Sequence, residues 1–129
     1  MKRIQPAGLV DTDAMNYSQG LVEGDAVYLS GQVGWNETYE IAGDDIESQA
    51  RQAFDNVECL LEETGYDLTD VRKVTSYLVD APHNVEVYLE CWTEVFSEEP
   101  YPCHTILGVE SLAREEFLLE VEVELRRGD

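Results

Sequence analysis

The chain reads as an α+β domain: one sheet with two helices packed on one face. Three observations predict this. Residues 44–64 and 84–97 place apolar side chains at helical spacing. Residues 117–125 alternate with the period of a strand. The elements then follow as strands, helix, strand, helix, strands. At 129 residues the chain forms a single domain, 1–129. That length buries a core without disulfides or metal.

The first predicted strand covers residues 25–33, after the turn Glu23-Gly24. Gly31 within it marks a bulge or a close backbone approach. Upstream, Asn16-Tyr17-Ser18-Gln19-Gly20 reads as a loop, and Trp35 to Gly43 as a polar hairpin. In the helix at 44–64, Asp44-Asp45 supply an N-cap and favourable charge at the N-terminus. Ile46, Ala50, Ala53, Phe54, Val57, Leu60 and Leu61 form its core stripe, and Gly65 stops it.

Residues 71–79 are rich in β-formers and read as a strand. A loop at 80–84 leads to the second helix, whose stripe is Val85, Tyr88, Cys91, Trp92, Val95 and Phe96. Pro100 and Pro102 break it. The strand at 104–109 follows, with Pro102 before it, a tolerated place for proline. In the last strand Phe117, Leu119, Val121, Val123 and Leu125 share one face. Leu118, Glu120, Glu122 and Glu124 share the other. Two helices cover only one sheet face, and the bare face points to self-association.

The net charge is −20, from 28 acids against 8 bases, of which only Lys2 and Lys73 are lysines. The acids run along the whole chain, so they are not a disordered tail. Such self-repulsion destabilises a compact state at low salt. Screening relieves it, since the Debye length falls to about 3 Å at 1 M. The charge therefore reads as adaptation to a salt-rich, halophilic cytoplasm. It also argues against nucleic acid as a partner, because phosphate binding needs clustered Lys and Arg. No run approaches the ~20 apolar residues of a membrane span. No apolar segment follows Met1-Lys2-Arg3, so a cytoplasmic location is expected and no membrane partner. The three cysteines, Cys59, Cys91 and Cys103, form no CxxC pair. Cys59 and Cys91 fall on helical apolar faces as small hydrophobes. Neither a disulfide framework nor a zinc site is expected.

His104, one of two histidines, stands at the entrance of a strand. Its neighbour Cys103 points to the opposite face, so the two form no catalytic dyad by proximity. His104 and Glu120 both lie on strands and can meet across a sheet or an interface. Such a His–carboxylate pair can hold water or relay protons. The structural alternative is a histidine satisfied by a backbone carbonyl. Glu120, Glu122 and Glu124 crowd one face, where like charges repel. They are either a solvated surface or include a carboxylate tuned by partial burial.

Taken together, several segments resemble the RidA family, also called the YjgF family and often labelled endoribonuclease L-PSP. They are Tyr17-Ser18-Gln19, Val27-Tyr28-Leu29-Ser30-Gly31-Gln32, Gln49 to Val57, Gly65 to Thr75, Pro102-Cys103-His104-Thr105 and Leu119-Glu120-Val121-Glu122. The resemblance implies a chorismate-mutase-like fold and a homotrimer whose three clefts lie between subunits. It implies hydrolysis of reactive enamines and imines to keto acids and ammonia, with no metal or organic cofactor. By the same resemblance, Tyr17 and Ser30 line the cleft; Cys103, next to His104 in the chain, is a further candidate substrate-binding residue. The resemblance also gives Glu120 as the acid that helps orient the attacking water or handle protons.

The chain departs from the family where His104 replaces an arginine that grips the substrate carboxylate, and where Asn16 replaces a proline. Arginine's bidentate fork suits a carboxylate, and an imidazole offers one nitrogen at a time. Removing such a buried contact costs about 2–5 kcal/mol, which is ~30-fold or more in affinity. Two functions follow as expectations. One is a deaminase-type hydrolase with altered or weakened substrate preference, in which His104 orients the substrate or transfers a proton. The other is a non-catalytic trimeric protein that binds or responds to a small-molecule ligand. The ribonuclease label sits poorly with the charge.

Overall fold

The computed structural model describes residues 1–125. Strands β1 (Lys2–Ile4), β2 (Gly20–Glu23) and β3 (Ala26–Leu29) form one antiparallel sheet. Strands β4 (Gln32–Val33), β5 (Val71–Val79), β6 (Cys103–Val109) and β7 (Leu119–Leu125) form a second, in the order β4-β7-β5-β6. Helices α1 (Ile46–Thr64) and α2 (Ala81–Val95) lie across it. β5 and β6 run parallel, joined through α2, and the other pairs are antiparallel.

Local chemistry explains these boundaries. Asp45 caps α1 by accepting from the Ser48 amide at 2.9 Å. Gly65 ends α1 at φ 82°, where a Cβ would be strained. α2 starts at Ala81, earlier than the expected 84, because Pro82 falls in the first turn, where its missing N–H costs nothing. The expected strand at 25–33 is two strands, interrupted at Ser30-Gly31. Neither β1 nor β2 was foreseen. β2 pairs with β3 through a two-residue turn, Gly24-Asp25, with Gly24 at φ 58°. The hairpin after Trp35 is present as a Trp35–Ile41 bridge.

The core lies between the helices and one face of the second sheet. Ala50, Ala53, Phe54 and Val57 of α1 and Tyr88, Cys91 and Trp92 of α2 cover Val74 and Leu78 of β5 and Leu119, Val121 and Val123 of β7. Two buried amides lock α1 in place. Gln49 donates to the Gly43 and Glu116 carbonyls and accepts from the Leu118 amide. Asn56 donates to the Val33 and Trp35 carbonyls. Gly34 permits the crossing, since a Cβ there would lie 2.6 Å from Gln49 Cα.

The opposite face carries Thr75 and Tyr77 of β5, Thr105 and Leu107 of β6, and Glu120, Glu122 and Glu124 of β7. Among the described residues no helix covers it, and Leu107 is 45% exposed.

Candidate functional site

The interruption at Ser30-Gly31 creates a seam between the two sheets, and the loop 16–19 is clipped to it. The Ser30 hydroxyl donates to the Ser18 carbonyl at 2.7 Å, and the Ser30 amide to the Gln19 carbonyl at 2.9 Å. Gln32 donates to the Gln19 side chain at 2.8 Å, and Gln19 donates to the Val10 carbonyl at 3.1 Å. Ser30 therefore holds the loop that presents Tyr17, which is itself half-exposed.

Glu120 lies across this seam. On β7 it pairs with Val33 and with Tyr77, and its carboxylate folds over Gly31. A Cβ at Gly31 would fall 2.1 Å from Glu120 Oε2, so any side chain there would displace the carboxylate from this position. Partial burial, then the charge of Glu122, pushes the Glu120 carboxyl above its ordinary range. Tyr17 is pushed up by burial, then by the charge of Glu120, which sets the two side chains in one electrostatic neighbourhood. The Tyr77 hydroxyl donates to Glu122 at 3.1 Å. Tyr17, Ser30 and Glu120 thus gather at one seam.

His104 faces the other way. It is in register with Val74, on the helix side of the sheet. Its ring stacks on Trp92 with centroids 3.6 Å apart and planes 6° from parallel. His104 Nε2 is 2.8 Å from Ser76 Oγ, which in turn hydrogen-bonds the Tyr88 hydroxyl at 2.5 Å. Its partner is a side-chain hydroxyl in place of the backbone carbonyl weighed above. Burial lowers its pKa to about 4, so the ring is neutral near pH 7. Within one chain, then, His104 and Glu120 open on opposite sheet faces.

Cys103 is exposed on the same face as Glu120, four residues along and two strands across. Sequence reasoning missed the pocket around His104. Its signal was Ser76, a polar residue on a buried strand face, together with Tyr88 and Trp92 one helical turn apart. Among the described residues no group of three His, Cys, Asp or Glu side chains could hold a metal ion. No helix among them is long and apolar enough to cross a membrane.

These features define a class: an α+β domain with two helices on a mixed sheet and a half-buried carboxylate set against a tyrosine-bearing loop. The chain belongs to the Endoribonuclease L-PSP family, which residues 11–125 match. It is 36% identical over 105 residues to the RutC family protein YjgH of Escherichia coli K12, covering 81% of this chain and 79% of that one. It is 34% identical over 117 residues to a 2-iminobutanoate/2-iminopropanoate deaminase of Dermatophagoides farinae, covering 88% of each. The structure of RidA from the Antarctic bacterium Psychrobacter sp. PAMC 21119 superposes with a TM-score of 0.86 at 31% identity, over 97% of this chain and 98% of that one.

Proposed function

We infer that the chain is an imine or enamine hydrolase of the deaminase type, working as a homotrimer with its sites between subunits. The observation that carries this reading is the Glu120 carboxylate, half-buried over Gly31 beside Tyr17. A raised pKa makes a carboxylate a better base near neutrality. Water adds to the imine carbon as Glu120 takes one of its protons and passes it to nitrogen. Glu120 then takes the hydroxyl proton of the carbinolamine and delivers it to the departing nitrogen. The C–N bond breaks, ammonia leaves, and the carbonyl forms. The deaminase among the relatives supports this chemistry. The uncovered sheet face supports the assembly, because it gives three subunits a surface to share.

His104 supports an altered or weakened substrate preference. A neutral ring tied to Ser76 and stacked on Trp92 lacks the charge with which arginine would hold a carboxylate. A non-catalytic trimeric binding protein is the second reading, and the same residue favours it. The acidic surface belongs to the proposal as an adaptation to high salt in the cytoplasm. Among the described residues ion pairs engage Arg3, Arg51 and Arg114, against 28 acids in the chain. That charge also leaves nucleic acid outside the proposal.

The test is keto acid release from enzymatically generated 2-aminoacrylate and 2-iminobutyrate, at low and high KCl. The hydrolase predicts measurable turnover that falls about 10²-fold or more in Glu120→Gln. Its rate should rise with pH through a pKa above the ordinary carboxylate range. Wild type without activity, with His104→Arg gaining it, assigns the chain to the binding class. Turnover unchanged in Glu120→Gln overturns the role of Glu120.

A further inference from the structure

The C-terminal ends of the helices border a half-open cavity that shares no residue with the seam at Glu120. It measures about 390 Å³, at the lower end of the ~300–1,000 Å³ typical of small-molecule sites. It lies where the last turns of α1 and α2 meet the short turn Leu68–Asp70 and the loop 97–102. Leu68, Val95 and Phe96 give it apolar walls. Glu58 and Glu62 from α1 and Glu98 from the loop give it an acidic rim. No Lys or Arg is among the residues that line it. Arg72, on the adjoining strand, directs its guanidinium to the Thr69 carbonyl at 2.9 Å.

Two physical constraints select the occupant. The rim favours a positive charge. Burial, then the charges of Asp55 and Glu62, already push the Glu58 carboxyl up, so a cation there relieves existing repulsion. The apolar walls disfavour a hydrated inorganic ion, which would exchange its water for hydrocarbon. A ligand that satisfies both has a charged head and an apolar body.

We propose that this cavity binds a small organic cation, an aryl- or alkylammonium whose apolar body lies against Leu68, Val95 and Phe96 and whose ammonium faces Glu58, Glu62 and Glu98. Amide-resolved NMR titration of the full chain with 2-phenylethylammonium tests it, beside the neutral 2-phenylethanol and the anionic 3-phenylpropanoate. The cation should produce saturable shifts confined to the ends of α1 and α2 and to residues 66–71 and 97–102. Its affinity should exceed that of the alcohol by about fivefold or more, and the anion should not bind. An exposed ion pair supports about a two- to fivefold effect. Glu62→Gln and Glu98→Gln should each weaken the cation by that much and leave the alcohol unchanged. Glu86→Gln, an equal loss of charge elsewhere on α2, should change nothing. Equal affinity for amine and alcohol overturns the proposal. So does a Glu86→Gln effect as large as that of Glu62→Gln, which would mark diffuse attraction to an acidic surface. Shifts spread over the molecule, or no saturation, overturn it equally.

Discussion

Acidification should release His104 from its pocket, and the effect on stability can be worked out. In the folded chain its pKa is about 4, against an ordinary value of 6.5, and the cause is burial. The unfolded chain therefore binds the extra proton between these values. Stability is fully present above pH ~6.5 and is lost as pH falls towards 4. The full shift converts to about 3 kcal/mol, at 1.36 kcal/mol per unit. The ring is only partly buried, so screening reduces that to about 1–2 kcal/mol. Other carboxylates titrate in the same range, so the measurement has to be differential. Urea melts of wild type and His104→Gln from pH 7 to pH 4, in constant KCl, isolate the term. The wild type should lose about 1–2 kcal/mol more than the variant across this window. An NMR titration of the imidazole should find it neutral down to pH 5. Parallel stability curves, or a ring that titrates near 6.5 or above, would refute the reasoning.

Other substitutions probe the seam, the helix lock and the charge. Gly31→Ala places a methyl on the Glu120 carboxylate and should cost about 1–3 kcal/mol. Urea melts of the double variant with Glu120→Ala should recover much of that loss, and additive losses would separate the two residues. Gln49→Leu strands the Gly43 and Glu116 carbonyls and the Leu118 amide, at a cost of about 3 kcal/mol in chemical denaturation. Raising KCl towards molar concentrations should raise the melting temperature of wild type, since it screens a net charge of −20. No gain would remove the case for salt adaptation.

The elements with strong local signals were legible in the sequence. α1 combines an apolar stripe with an Asp45 cap and a Gly65 stop, and β7 alternates without interruption. β1 is three residues long and β2 four, too short to establish a period, and β1 depends on pairing distant in sequence. Pro82 reads as a loop residue until it is placed in the first turn of a helix. The site divides in the same way. Alternation puts Cys103 and His104 on opposite faces, but it does not say which one enters the core. The choice falls to Ser76, Tyr88 and Trp92, which offer His104 a hydroxyl and a ring to stack on. Gly31 was legible as a close approach, and the approaching group, Glu120, lies 89 positions away in the chain.

The seam at Ser30-Gly31 also divides the molecule in stiffness. Strands β1 to β3 meet α1 through a small cluster, Ile4, Leu9 and Leu60, while β5 and β7 lie under the large aromatic core. Local opening of the N-terminal sheet should therefore require less free energy than opening of β7, and its amides should exchange faster. Tyr17 rides on the soft side of that boundary and Glu120 on the hard side. The two halves of the candidate site are thus carried by parts of the fold with cores of different size.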